Sequence, residues 1–276
     1  MSDYVLTEAS VNWEGSTAYS RDFGDVYWSR GAAVSEKTHV FTDPIQSSWE
    51  QLKPRNLFSI GEIGFGFGLN FMLTAEKWKQ KDFQGFLHYT AYEKYPVSPG
   101  DLTRLGKVIP QLPVDQLLKH YPLPFQGSHI IWFASNIKLL LIFDDALNAL
   151  KDTSAKVDAW YLDGFSPDKN TNIWNERIFS QMARLSKPGA TLSTFSVSGK
   201  VRRALTNAGF LVTSRAGYGK KREMLFARAR GEWLPSKQIR PKVAIIGSGL
   251  AGAYLCQALR RRSINTMIFA DGKAPS

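Results

Sequence analysis

The sequence predicts an α/β protein with a doubly wound, mostly parallel sheet. Three observations carry that prediction. Apolar runs of strand length alternate with helical patterns over most of the chain. Two of those runs lead into glycine-rich turns that open helices, Gly61–Asn70 after Leu57–Ile60 and Gly247–Gly252 after Val243–Ile246. The last two runs of the main block, Phe210–Ser214 and Glu223–Ala229, are separated only by a Gly- and Lys-rich loop, so they pair antiparallel at a sheet edge.

Apolar runs bounded by turn residues place strands at 57–62, 86–92, 138–143, 157–162, 190–196, 210–214 and 223–229. Helices fit between them at about 69–80, 99–107, 145–151, 173–186 and 198–208. Residues 1–50 break the alternation, with Trp13, Tyr19, Phe23, Tyr27, Trp28 and Phe41 spread among polar and turn residues. This stretch reads as a small β-rich cap over a main domain spanning 51–230. Five Pro or Gly residues in 108–128 suggest an irregular insertion before the third strand, and 231–241, which lacks periodicity, reads as a linker.

Composition narrows the classes. The single Cys256 permits no internal disulfide and suits a reducing cytosol, and the four histidines are too scattered to suggest a metal site. The first residues lack the basic and apolar regions of a signal peptide, and no apolar run approaches the ~20 residues of a membrane span. A cytoplasmic protein is expected. The net charge of +11 is concentrated: residues 184–242 hold 14 Lys and Arg against Glu223 and Glu232, while the rest of the chain is nearly balanced. Such a region is either a solvated basic face or the footprint of a polyanionic partner.

In the first loop, glycines at 64, 66 and 68 let the backbone approach a ligand closely. The arrangement suits a phosphate at the helix N-terminus or, without phosphate contacts, the methionyl and ribose parts of S-adenosylmethionine. Two acids favour the latter. Glu93 ends the second strand, where a carboxylate binds ribose hydroxyls, and Asp145 follows the third, where an acceptor meets an adenine amino group. Either acid alone is more often a helix cap. The fourth strand ends in Trp160-Tyr-Leu-Asp163-Gly-Phe-Ser-Pro167, which puts Asp163 at the ligand crevice or makes it the cap of the next segment. The turn resembles the acid-Pro-Pro-aromatic turn of enzymes that methylate amino groups.

Taken together, Ser20–Phe23, Asp25–Tyr27, Glu62–Phe71, Asp163–Lys169, Val201–Arg203, Gly209-Phe210 and Gly217–Leu225 resemble the tRNA 5-methylaminomethyl-2-thiouridine biosynthesis bifunctional proteins, over about residues 15–276. The resemblance implies a class I (Rossmann-like) methyltransferase domain followed by the start of an FAD-dependent oxidase half. It implies methyl transfer from S-adenosylmethionine to the primary amine of 5-aminomethyluridine at the tRNA wobble position. Cofactor contacts would come from Glu62, Gly64, Phe65, Gly66, Gly68, Asn70, Glu93, Asp145 and Asp163. Asp163 would also serve catalysis by orienting the amine and stabilising charge that develops on it. Phe165 would stand beside the target base, stacking on it or simply packing in the core. Arg202, Arg203, Arg215, Lys220, Lys221 and Arg222 would hold phosphates of the anticodon region.

The second loop, Gly247-Ser-Gly249-Leu-Ala-Gly252, belongs to a βαβ unit at 242–276 in which Asp271 occupies the ribose-acid position of a dinucleotide site. One such unit covers too little apolar surface to stand as a domain. The reading is therefore a truncated start of an FAD-binding domain, with little or no FAD bound and no oxidase activity, in a fragment or interrupted reading frame. Removal of a carboxymethyl group by an FAD enzyme, or tRNA binding without catalysis, are the alternatives.

Overall fold

The computed structural model describes residues 4–54, 56–81, 85–219, 222–237, 241–262 and 264–270. The parallel heart of the main sheet is β4 (Asn56–Ile63), β5 (Phe86–Glu93), β7 (Ile137–Phe143), β8 (Val157–Leu162) and β9 (Ser186–Thr194). Across it, Ile60 lies opposite Tyr89 on one side and Ala159 on the other. An antiparallel hairpin, β10 (Phe210–Ala216) and β11 (Glu223–Ala229), closes one edge by pairing with β9, as the short loop predicts. β6 (Gly127–Ala134) closes the other edge, antiparallel to β7. The resulting order is β10-β11-β9-β8-β4-β5-β7-β6. The chain therefore proceeds in opposite directions from β4: through β5 and β7 on one side, and through β8 and β9 on the other. The carboxyl ends of β4 and β8 form the switch point where ligands bind in such sheets.

Helices cover both faces. α3 (Leu69–Gln80) packs its buried Phe71, Met72, Ala75 and Trp78 against Phe58 and Tyr89, together with α4 (Pro99–Val108) and α5 (Val114–Leu118). On the opposite face, α6 (Ala146–Asp152), α7 (Glu176–Leu185) and α8 (Gly199–Asn207) pack around Trp160. α7 shows why the sequence folds this way. Ile178, Phe179, Met182 and Leu185 recur at helical spacing and are buried, and the Asn175 carboxamide oxygen accepts from the Arg177 and Ile178 backbone N–H groups.

Three segments depart from the sequence reading. The cap is only half β: β1 (Val11–Glu14), β2 (Thr17–Ser20) and β3 (Asp25–Val26) form a small antiparallel sheet. From Ala33 to Trp49 the chain is helical, through α1 (Ala33–Lys37), a π-helical turn (Thr38–Thr42), a 3₁₀ turn (Asp43–Ile45) and α2 (Gln46–Trp49). Val40, Phe41, Ile45 and Trp49 all face inward there, and Pro44 sits in the first turn of the 3₁₀ segment where its missing N–H costs nothing. The insertion at 108–128 contains α5 and leads directly into β6, an edge strand whose outward face leaves Ile130 exposed and so weakens its apolar signal. Residues 231–237 are packed rather than free. β12 (Ser236–Lys237) pairs antiparallel with the start of β4, and Trp233 donates its Nε1–H to the buried Asp158 carboxylate at 2.8 Å. Asp158 also accepts from Lys187 Nζ at 2.8 Å and from the Ser59 N–H at 2.7 Å, an arrangement that compensates its burial.

Candidate active site

A cavity of about 490 Å³ opens at the carboxyl ends of β4 and β8, between the Ile63–Asn70 loop, the Asp163–Ser166 turn and the cap. The loop is held by its neighbours. Gly64 donates its N–H to the Tyr92 carbonyl at 3.0 Å, and Asp163 donates its own to the Ile63 carbonyl at 3.2 Å. Gly64 has φ +85°, and a Cβ there would lie 2.2 Å from the Asp163 carbonyl oxygen, so only glycine lets the two strand ends meet. Gly68 stands at the N-terminus of α3, away from the cavity lining, with the buried Phe65 ring packed where its side chain would be.

Glu93 is fixed by the loop it faces: Oε2 accepts from the Gly66 N–H and Oε1 from the Tyr95 N–H, both at 2.8 Å. Burial pushes its carboxyl above the usual carboxylate range, and these backbone donors oppose that shift. Asp145 lines the cavity, caps α6 through the Leu147 N–H at 3.0 Å and pairs with Lys94 at 3.2 Å. The cap reading of Asp145 is thus realised in the structure. Glu62 does not reach the cavity. It lies fully buried beneath the floor, where burial and then the neighbouring Asp163 charge push its carboxyl well above the usual range.

Asn70 links floor and cavity, its side-chain amide donating at 2.7 Å to both Glu62 Oε1 and Asp163 Oδ2. Asp163 Oδ2 has a second partner that nothing in the sequence singles out: the buried Lys37 at the end of α1 forms an ion pair with it. A lone lysine in a short helical segment carries no spacing signal, and the contact joins residues 126 positions apart. Phe165 lines the cavity but is already partnered. Phe23 stacks on it at 4.8 Å between centroids and Tyr27 meets it edge-on at 5.0 Å. The cap grips the rest of this turn through Asp25 Oδ2, which accepts the Ser166 N–H at 2.9 Å, and through the Lys169 ammonium, which donates to the Gly24 carbonyl.

The predicted phosphate contacts that are described lie on more than one face. Arg202 on α8 donates to Ser214 Oγ at 2.6 Å, on one face of the hairpin. Its neighbour Arg215 points to the other face, its guanidinium 3.3 Å from the Phe226 ring centroid. Arg203 and Arg222 are exposed, whereas Lys220 and Lys221 lie outside the described residues. The hairpin end docks on the cap, with His39 Nε2 bonded to the Ala216 carbonyl at 2.9 Å and Tyr218 to Ser35 at 2.6 Å.

The second glycine turn joins β13 (Lys242–Ile246) to α9 (Leu250–Arg260), and β14 (Asn265–Phe269) pairs parallel with β13. Gly247 has φ +99°, and a Cβ on Gly252 would meet the Gly247 carbonyl oxygen at 2.1 Å, so helix and turn pack closely. Gly249 precedes α9, and Asp271 lies outside the described residues. Ile246 and Leu250 are 91% and 94% exposed, so this two-stranded sheet has no packed counterpart to the cavity of the first loop among the described residues.

Residues 111–230 match the model of a family described as S-adenosyl-L-methionine-dependent methyltransferase. The crystal structure of MNMC2 from Aquifex Aeolicus shares the fold, with a TM-score of 0.63 at 21% identity, over 82% of this chain and 71% of that one. Residues 111–230 thus place this part of the chain with the S-adenosyl-L-methionine-dependent methyltransferase family, on a sheet whose fold the Aquifex protein shares. The tRNA 5-methylaminomethyl-2-thiouridine biosynthesis bifunctional protein MnmC of Legionella pneumophila (strain Corby) is 34% identical over 96% of this chain and 45% of its own length. Its namesake in Aeromonas hydrophila subsp. hydrophila is 38% identical over 99% and 44%. The chain is a homologue of these MnmC proteins, similar to them over nearly all of its own length and spanning less than half of theirs. Among the described residues no group of three or more His, Cys, Asp or Glu side chains is placed to hold a metal ion, and no helix is long and apolar enough to cross a membrane.

Proposed function

We propose that the chain transfers the methyl group of S-adenosylmethionine to the primary amine of 5-aminomethyl(-2-thio)uridine at the tRNA wobble position. The product is 5-methylaminomethyl(-2-thio)uridine. The observation that carries this reading is Asp163, held by Lys37 and Asn70 at the crevice and facing the glycine loop across the switch point. The names of the homologous proteins supply the tRNA and the 5-methylaminomethyl-2-thiouridine, and the wobble position comes from the family resemblance.

The crevice fits the cofactor on its own chemistry. Its volume lies within the ~300–1,000 Å³ of small-molecule sites. The Glu93 carboxylate faces the cavity with its backbone donors already in place, which leaves further lone pairs for ribose hydroxyls. Gly64, Phe65 and Gly66 bring backbone to the cavity wall, and Asp145 adds an acceptor at its far side. When bound there, the cofactor supplies an electrophilic methyl on a sulfonium. Asp163 accepts an N–H of the substrate amine and so aims the nitrogen lone pair, and its charge offsets the positive charge developing on that nitrogen. An aspartate carboxylate, with an ordinary pKa of ~4, is a poor base toward an alkylammonium, so the proton released after transfer goes to water. Phe165, with Phe23 and Tyr27, forms an aromatic wall against which an extruded base packs. Arg215 and Arg222, toward the hairpin end that docks on the cap, are the described basic residues assigned to phosphates of the anticodon region, giving affinity and register rather than sequence readout.

The test incubates labelled S-adenosylmethionine with tRNA carrying 5-aminomethyluridine, using wild type and Asp163→Ala. Loss of an electrostatic stabiliser of this kind lowers the rate by ~10²-fold or more. Equal transfer by both proteins removes Asp163 from the mechanism, and tRNA binding without transfer by wild type leaves a non-catalytic binding module.

A further inference from the structure

The Lys37–Asp163 pair answers a problem that amine methylation poses, and this inference rests on that reading. The substrate amine, carried on a methylene beside the uracil ring, is less basic than a lysine side chain (~10.4) but is still mostly protonated in neutral water. An ammonium has no lone pair and cannot attack. A solitary carboxylate in the crevice would make matters worse, because an opposite charge favours the protonated form. Asp163 is not solitary. Its side chain and that of Lys37 are only 12% and 10% exposed, and both of its bonded partners, Lys37 and Asn70, fall on Oδ2. Oδ1 accepts no hydrogen bond from a described residue, so an amine N–H has an acceptor within a few ångströms of a fixed ammonium.

We propose that Lys37 is a positioning residue that keeps the acceptor amine neutral: its charge reduces, without abolishing, the attraction of Asp163 for a full ammonium. A neutral amine is held by its hydrogen bond to Oδ1, while the carboxylate still meets the smaller charge that develops during transfer. The incoming ammonium gives one proton to water. The neutral nitrogen then forms its bond to the methyl carbon as the carbon–sulfur bond breaks, its electron pair passing to sulfur. The methylated ammonium finally loses a proton to water, and Lys37 disfavours its retention.

Other ionisable groups facing the crevice do not replace Lys37 in this role. Asp25 is paired with Lys169, Asp145 with Lys94, and Glu93 with two backbone N–H groups. Glu36, beside Lys37, receives the Ser29 N–H at 3.4 Å, Asp22 receives that of Ser10 at 3.3 Å, and Glu62 lies beneath the floor. Burial raises the Tyr27 hydroxyl above its ordinary range, so it stays neutral.

The experiment measures single-turnover methyl transfer to tRNA carrying 5-aminomethyluridine from pH 6 to 10.5, for wild type, Lys37→Met and Lys37→Arg. Wild type should reach half its maximal rate about one pH unit or more below the pKa of the same amine in unbound tRNA, measured alongside. Lys37→Met should move that midpoint up by about one unit and lower the rate at pH 7 about tenfold, with the high-pH plateau largely recovered. Lys37→Arg keeps the cation and should keep the wild-type midpoint. A second readout needs no cofactor: affinity for the modified tRNA relative to the same tRNA with unmodified uridine should rise with pH in wild type and fall in Lys37→Met. A rate loss equal at every pH, or an unmoved midpoint, overturns the proposal. If Lys37→Met fails to fold, a wild-type midpoint at or above the pKa of that amine in unbound tRNA overturns it unaided. No transfer by wild type at any pH is a different result, and refutes amine methylation itself.

Discussion

Gly64→Ala tests the central geometric claim, that the ends of β4 and β8 meet too closely for any side chain. The perturbation is one methyl group with two separable costs. The first is conformational: holding an L-residue at positive φ costs roughly 1–2 kcal/mol. Gly15, at φ +59° with nothing within 4 Å of where a Cβ would stand, isolates that term. The second belongs to Gly64 alone. Its Cβ would sit 2.2 Å from the Asp163 carbonyl oxygen, short of the 3.0 Å below which real Cβ contacts essentially do not occur. The strand ends must therefore separate by roughly 1 Å, against the hydrogen bonds that hold Gly64 to Tyr92 and Asp163 to Ile63. At about 2–4 °C per kcal/mol for a chain of this size, Gly15→Ala should lower the Tm by roughly 2–8 °C. Gly64→Ala should lower it further. Activity should divide the two variants more sharply. Moving the Asp163 backbone by ~1 Å is enough to cost about 10²-fold in rate, whereas Gly15→Ala should transfer methyl at a wild-type rate. Differential scanning fluorimetry and the labelled-methyl assay read both quantities. If Gly64→Ala behaves as Gly15→Ala does in both assays, the close approach is not required and the reasoning fails.

Two further outcomes follow from the same geometry. His88 on β5 has its imidazole pushed down to about 4, chiefly by burial and then by Lys138 and Lys187, so the folded state keeps it neutral. Its unfolded value is higher, near 6.5, so the unfolded chain binds more protons between those values and this stability, intact above pH 6.5, is lost as pH falls toward 4. Thermal melts from pH 7.5 to 4.5 should therefore fall less steeply for His88→Gln than for wild type, and parallel curves would remove His88 from the acid response. For RNA, replacing Arg215 and Arg222 with Ala should reduce the slope of log affinity against log salt by about one to two, at ~0.7–0.9 per phosphate released. A slope equal to that of wild type would move the phosphate track away from the hairpin end.

What is legible in the sequence follows the range of the interactions. α3 begins at Leu69 and ends at Gln80, within the expected span, because a glycine turn, an apolar stripe and a strand before it are all local signals. Glu93 and Asp163 stand out at strand ends by the same logic. Lys37 does not, because its significance arises only when residue 37 meets residue 163. Phe23 and Asp25 are visible only as parts of a family resemblance, and their contacts with Phe165 and Ser166 are likewise long-range. Glu62 shows the opposite limit. It adjoins the loop in sequence, yet strand alternation turns it under the sheet, where Asn70 and Asp163 separate it from the crevice. Arg202, Arg203 and Arg215 share one basic stretch, but a helix and an alternating strand distribute them over two faces.

The two glycine turns make the same point at the scale of the fold. Each follows a strand, opens a helix, contains a glycine at positive φ and contains a glycine whose Cβ would strike its surroundings. Their local grammar does not distinguish them. The first lies where β5 brings Glu93 to one side and β8 brings Asp163 to the other, with the cap adding Lys37 and the aromatic wall. Removing any of these side chains would take away a hydroxyl acceptor, an amine acceptor or the charge beside it. The second turn has β14 alone beside its strand among the described residues, and its flanking Ile246 and Leu250 are bare. A glycine turn grants close approach. Which group approaches, and what then happens to it, is decided by the side chains that neighbouring strand ends and the cap deliver to the same few ångströms.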